Sequence, residues 1–224
     1  MSQSEKAKTL GTALTIAKDY ADLVLKGPLG EIGGVLSDTL GHWRLRNQVR
    51  LLLKTKQWLE EKGVDPKPIL PDIFVPLLQD ASNVEDESLS NMFSALLANH
   101  LDSSQQERIH PSYTKVLSQL SPLDARAMLQ FRKWVSYEGA REVGLRGRGM
   151  TAKDVAEELG CTERSAYLSC LNLSRLGIIE HRGFEAPSDH PIPELFEESP
   201  EHQVYLATEY GIEFCDACHY QSVG

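Results

Sequence analysis

Two glycines constrain what the last third of this chain can fold into. In Thr151-Ala-Lys-Asp-Val-Ala-Glu-Glu-Leu-Gly160-Cys-Thr162, the glycine follows one amphipathic stretch and Thr162 stands just ahead of the next. In Leu173-Ser-Arg-Leu-Gly177-Ile-Ile-Glu180, a second glycine separates the end of that next stretch from a β-branched pair. Glycine after a helix takes the left-handed conformation without steric cost, and a threonine side chain can accept from an orphan N–H of the first turn. The segment therefore predicts a helix over Ala152–Leu159, a tight turn, a helix over Glu163–Leu176 and a strand over Ile178–His181. A second strand over Val204–Ala207 and a last helix from about Thr208 to His219 follow. This is the order of a winged helix-turn-helix with a small two-stranded wing.

The charge of this segment conflicts with the usual work of such a module. Residues 151–224 hold 14 Asp and Glu against 4 Lys and Arg, a net of −10, which leaves +1 for the rest of a chain of net charge −9. Phosphate neutralisation supplies most non-specific affinity for DNA, so an acidic domain is a poor DNA binder. If a duplex were bound, Glu163, Arg164, Ser165, Tyr167 and Ser169 would be the groove contacts, and only Arg164 and Arg175 on that helix are basic. The loop between the strands holds four prolines and six acidic residues, where a DNA-binding wing carries Arg or Lys.

Upstream, the pattern is helical throughout, so the fold class expected is mainly α. Ser4 caps a first helix reaching about Lys26, with Leu10, Leu14, Ala17, Ala21 and Val24 on one side. Pro28 opens a long helix at about 28–62, weakened near its start by Gly30, Gly33 and Gly34. Three prolines between Val64 and Pro71 make an extended connector. Further helices run from Asp72 to about Ala81, from a cap at Ser88 through Leu101, after His110-Pro111-Ser112, and from Ser121-Pro122 to about Gly139. Phe74, Leu77 and Leu78, then Leu89, Met92, Phe93, Leu96 and Leu97, form the expected buried stripes. Residues 141–150, rich in Arg and Gly, are the best linker between a helical domain at 1–140 and an acidic domain at 151–224.

The long helix carries the chain's clearest basic face, with Arg46, Arg50 and Lys54 at i, i+4 and i+8. Its expected counterpart is the acidic loop bearing Glu185, Glu197, Glu198 and Glu201, of the same chain or of another copy. An anionic membrane surface met peripherally is the alternative use of that helix and of the glycine-containing segment Gly27–Leu40. No apolar run is long enough to span a bilayer and no leader pattern opens the chain, so a cytoplasmic protein with free thiols is expected.

Chemistry-bearing motifs are few. Cys215-Asp-Ala-Cys218-His219 has the spacing of a haem attachment site, but without export it reads as two small apolar thiols on a helix. Cys161 and Cys170 are too awkwardly spaced to complete a zinc site, so neither a metal nor another cofactor is expected. Arg175 and His181 have the spacing of an Arg/His ribonuclease pair, yet Gly177 interrupts the helix lip such a pair requires. No phosphate-cradling glycine loop, nucleophile elbow or His-Glu-x-x-His appears.

An ordered set of short motifs goes beyond periodicity. Leu96-Leu-Ala-Asn99, His110-Pro-Ser-Tyr113 and Leu117-x-x-Leu-Ser-Pro-Leu-Asp-Ala125 resemble the central signature of the bacterial abortive-infection alpha family. Gly27-Pro-Leu-Gly-Glu-Ile-Gly-Gly34, Leu36-Ser-Asp38 and Trp43-Arg44-x-x-Asn47-Gln48 resemble its opening, and Leu173-x-x-Leu-Gly-Ile178 with Thr208-x-x-Gly211-x-x-Phe214 its close. The resemblance covers about residues 27 to 218, with Phe93 standing where a Trp is expected. It implies a phage-defence protein without an established catalytic set. The motif residues themselves read as fold devices: Ser112 and Ser121 as caps, Asn99 and Asp102 closing a helix end, and Tyr113 packing its ring. The expectation is a non-enzymatic component of an abortive-infection system that works through a protein partner or its own copies. A winged-helix transcription regulator and a membrane-acting effector are the alternatives.

Overall fold

The computed structural model describes residues 3–25, 42–135, 149–182 and 203–219. The protein is mainly helical, with a small three-stranded antiparallel sheet towards its C-terminal end. In chain order the elements are α1 (Gln3–Leu25), α2 (His42–Lys62), α3 (Pro71–Ser82), α4 (Glu87–Leu101), a 3-10 turn (Ser103–Arg108), α5 (Tyr113–Leu117), α6 (Pro122–Val135), β1 (Met150–Thr151), α7 (Ala152–Leu159), α8 (Glu163–Arg175), β2 (Ile179–Arg182), β3 (Val204–Ala207) and α9 (Glu209–Ala217). The chain forms two compact units, Met1–Gln119 with Asp216–Gly224, and Leu120–Cys215. Gly27–Leu40, Arg141–Arg148 and the acidic positions Glu185, Glu197, Glu198 and Glu201 lie outside the described residues.

In the first unit, α2 packs on α1, α3 and α4. Its core is the set the periodicity selects: Val49, Leu52 and Leu59 from α2, Phe74, Leu77 and Leu78 from α3, and Leu89, Met92, Phe93, Leu96 and Leu97 from α4 are all buried. Leu45, four residues before Val49, is only half-buried. The proline-containing connector is extended and pinned at two points. Lys67 N–H donates to Leu101 O and Ile69 N–H to Val24 O, each at 2.9 Å. Without these bonds, backbone groups beside the buried Ile69 would lose their partners. The cap of α4 is Asp86, whose carboxylate accepts from Leu89 N–H at 3.0 Å, and not Ser88, which lies inside the first turn. Aspartate there adds its negative charge to the hydrogen bond at the positive end of the helix dipole.

In the second unit the turn devices work as their sequences dictate. Thr151 and Asp154 form a reciprocal capping box at the start of α7. Gly160 closes α7 at φ 62°, and Thr162 accepts from Ser165 N–H to open α8. Gly177, at φ 74°, donates to Ser174 O while Ile178 N–H donates to Leu173 O. That pair of bonds is a Schellman ending, which aims the chain straight into β2. The sheet has the order β1-β3-β2, with Ile179 opposite Ala207 and Met150 opposite Tyr205. The third strand, β1, is an addition to the two expected. Two residues are too short to show a period, and Met150 is recruited because its side chain buries against the module.

Thr208-x-x-Gly211-x-x-Phe214 resolves into three separate jobs. Thr208 caps α9, accepting from Gly211 N–H at 2.9 Å, and its hydroxyl can donate to Gly177 O at 2.6 Å. Gly211 lets the helix rest directly on backbone: a Cβ there would lie 2.0 Å from Ile178 O. Phe214 is fully buried.

Candidate functional site

Asp124 organises the second unit. Ser121 Oγ accepts from Asp124 N–H at 3.2 Å, and Asp124 Oδ2 accepts from Ser121 N–H at 2.8 Å, so the pair caps α6 reciprocally. The same carboxylate reaches α8. Oδ1 accepts from the Ser169 hydroxyl at 2.6 Å, and Oδ2 accepts from Asn172 Nδ2 at 2.9 Å. Asn172 Oδ1 in turn accepts from Arg175 Nη2 at 2.8 Å and Nε at 3.2 Å. A continuous polar chain thus runs from a buried helix start to an exposed helix end, and a carboxylate accepting this many hydrogen bonds is well satisfied in a dry site. Cys170 lies beside it. Burial, then the proximity of Asp124 and Cys161, pushes its thiol up to about 12, so it stays protonated at neutral pH and is a poor nucleophile.

These bonds set the rotation of α8. Ala166, Ser169, Cys170 and Leu173 face inward, so Ser169, expected among the groove contacts, instead binds Asp124. The outward strip is Arg164, Leu168, Leu171 and Arg175 at i, i+4, i+7 and i+11, with Leu168 53% and Leu171 42% exposed. Of the other expected contacts, Ser165 is half-buried, its hydroxyl 2.8 Å from that of Thr162 in the cap, and Tyr167 is half-buried. Reading the helix for polar groove contacts passes over the two leucines. Their spacing, opposite the small inward residues, was the available signal.

On α2 the expected basic face is partly engaged. Arg46 is exposed. Arg50 reaches Val84 O at 3.5 Å, and Lys54 donates to Asn91 Oδ1 while lying 5.2 Å from the Trp58 ring centroid. Beside them, buried Asn47 donates to Ser82 O and Val84 O, both at 3.1 Å. This side of α2 is therefore also a seam against the α3–α4 turn and α4. The acidic residues expected to meet it fall outside the described residues.

The remaining motif residues serve packing and turns. Asn99, expected at a helix end, is buried, and its amide donates to Ala217 O at 2.8 Å. Asp102 does close α4, accepting from Ser104 N–H at 2.8 Å and its hydroxyl at 2.7 Å. Ser112 does not cap α5: its N–H donates to His110 Nδ1 at 3.2 Å and its hydroxyl lies 2.8 Å from the same nitrogen. The His110 and Tyr113 rings tilt against each other with centroids 5.9 Å apart. Cys215 and Cys218 are buried. Arg175 binds Asn172, whereas His181 on β2 leans on Tyr205 with centroids 5.7 Å apart.

His100, near the end of α4, has a buried Nε2 with no hydrogen-bond partner among the described residues. Burial, and then the nearby Lys67 charge, lowers its pKa to about 4. An unfolded histidine takes a proton near pH 6.5, so the unfolded state binds more protons between that pH and 4. Stability is therefore full above pH 6.5, is lost as the pH falls towards 4 and levels off below it. The loss expected is on the order of 3 kcal/mol. Urea titrations of wild type and His100→Gln at pH 7.5, 5.5 and 4.5 should show the acid-side loss shrinking in the variant. Parallel curves would remove His100 as the cause.

Among the described residues, no helix is long and apolar enough to cross a membrane. No group of three or more His, Cys, Asp or Glu among them is placed to hold a metal ion. A family model described as abortive infection alpha matches residues 46–218. No curated protein and no solved structure matches the chain.

Proposed function

The chain belongs to the abortive infection alpha family, and from that premise we propose that it is a phage-defence protein acting through protein contacts and without catalysis of its own. The observation that carries this reading is the outward face of α8. Its centre presents Leu168 and Leu171, where a helix that reads a DNA groove needs hydrogen-bonding groups for base edges. Leu168 and Leu171, one turn apart, form a small exposed apolar strip rimmed by polar residues, which supports contact with protein over contact with a base edge. The polar residues with unusual surroundings are committed elsewhere: Asp124 to a cap and a helix joint, Cys170 to the core beside it. The order β1, α7, α8, β2, β3 also supports reading this part as winged-helix-like, used for assembly and not for DNA.

Cells carrying the wild-type chain with its native neighbouring genes should yield fewer phage than cells lacking it. A Leu168→Asp/Leu171→Asp variant should lose that protection while keeping its circular dichroism and unfolding midpoint. Full protection by the folded variant would overturn the reading. Salt-dependent duplex binding weakened by Arg164→Ala would favour the transcription-regulator alternative. Arg46→Glu/Arg50→Glu/Lys54→Glu tests the basic face of α2 in the same assay.

A further inference from the structure

We infer that the connector between α2 and α3 is a strap that lets go of α4 when His100 takes a proton. This is a pH-sensitive catch inside the first unit, separate from the protein-contact reading above. The connector runs from Val64 to Leu70 without helix or strand. It is held at two points, Lys67 N–H on Leu101 O and Ile69 N–H on Val24 O. Pro66 and Pro68 alternate with these donors, so the stretch from Pro66 to Ile69 has no third N–H to offer. Gly63, at φ 64° just after α2, gives the strap a turning point at its start. A segment held by two hydrogen bonds and one buried side chain, Ile69, can open while the helices beside it stay packed.

His100 is the neighbour of Leu101, whose carbonyl holds Lys67. An imidazolium donates from both ring nitrogens, so protonation leaves a charged N–H at the buried Nε2 with no acceptor among the described residues. Lys67 on the strap is the charge that bears on His100, and Asp102, which follows α4, bears on Lys67 in turn. That carboxylate is already engaged, its Oδ1 accepting from Ser104 N–H at 2.8 Å and from the Ser104 hydroxyl at 2.7 Å. Protonation therefore sets two like charges on the two sides of the Lys67–Leu101 bond, one on the strap and one on α4. Swinging the strap outward separates them and lets water reach Nε2. It also frees the carbonyls of Val24 and Leu101 and brings Ile69 into water. The closed site holds His100 at about 4, and the open strap returns it to about 6.5. The open form thus binds the extra proton, and its share relative to the closed form rises about thirtyfold as the pH falls from about 7.5 to about 5.

Amide hydrogen exchange by NMR on the full chain tests this, with each rate divided by the intrinsic rate at that pH. Protection at the Lys67 and Ile69 amides should fall about thirtyfold between about pH 7.5 and about pH 5. At both pH values these amides should be at least about tenfold less protected than those of Phe93 and Leu97 in α4, because the strap opens without unfolding the helix. In His100→Gln the strap should lose less than about threefold over the same range. His100→Leu, which has no polar atom to satisfy, should behave in the same way. The wild-type comparison of strap with α4 decides the matter even if neither variant folds. A wild-type strap whose protection does not change with pH, or strap amides as well protected as Phe93 and Leu97, would overturn the proposal. An equal fall in a folded His100 variant would do the same, since another group would then be the catch.

Discussion

Gly211→Ala is expected to destabilise the protein by about 3 kcal/mol or more, although alanine is the better helix former. The added Cβ would sit 2.0 Å from Ile178 O, 2.8 Å from Ile178 C and 2.9 Å from Ile178 Cα. All three are backbone atoms, so no side-chain rotation relieves the overlap. The Ile178 carbonyl cannot retreat freely either. It accepts from Thr208 N–H at 3.0 Å, and the next residue, Ile179, is paired with Ala207 in the sheet. Relief requires α9 to lift away and uncover Phe214, or β2 to leave β3. Either costs more than the roughly 1 kcal/mol that alanine returns in helix propensity. Gly11→Ala is the matched control: that glycine lies in α1 with nothing within 4 Å of a built Cβ. It should gain about 0.5–1 kcal/mol. Urea midpoints for the two variants should move in opposite directions, and a neutral or stabilised Gly211→Ala would refute the close approach of α9 to Ile178.

Asp124→Ala is the second large effect, expected at roughly 3 kcal/mol from the buried Ser169 hydroxyl losing its acceptor, the broken bond to Asn172 and a lost cap. Ser169 is buried and Asn172 half-buried, and each loses the acceptor it uses inside the unit. The reciprocal bonds with Ser121 at the start of α6 disappear together. Against a total stability of 5–15 kcal/mol, that is a large fraction. Ser121→Ala removes only half of the capping box and should cost about 1 kcal/mol. Ser169→Ala leaves the carboxylate its other donors and should cost about as much. If Asp124→Ala costs no more than Ser121→Ala, Asp124 is only a cap and the link to α8 contributes nothing.

The local devices were legible in the sequence because each is written in neighbouring residues. Gly160 with Thr162, Gly177 before Ile178, and Ser121 as a cap are decided within three or four positions, and the buried stripes follow from a period of 3.6. Local competition produced the local errors. Asp86 outbids Ser88 because it is two residues nearer the helix start and charged, and Ser112 is taken by His110. Bonds between distant residues leave no period to find. Nothing near Asp124 announces that Ser169 and Asn172 will be its partners, and nothing near Asn99 points to Ala217. The α8 face falls between these cases. Its residues were on the expected helix, but their meaning depended on which side Asp124 would hold. On α2, the partners that Arg50 and Lys54 meet, Val84, Asn91 and Trp58, could not be read from spacing.

The Asn99 amide has a further consequence. The residues of the first unit are Met1–Gln119 and then Asp216–Gly224, so in chain order the second unit is an insertion within the first. A chain ending at Gln119 would be missing a piece of its own body: Asn99, buried in α4, would look for the carbonyl of a residue that had not yet been made. During synthesis the Asn99 bond therefore waits for Ala217, which follows the whole of Leu120–Cys215 in the chain.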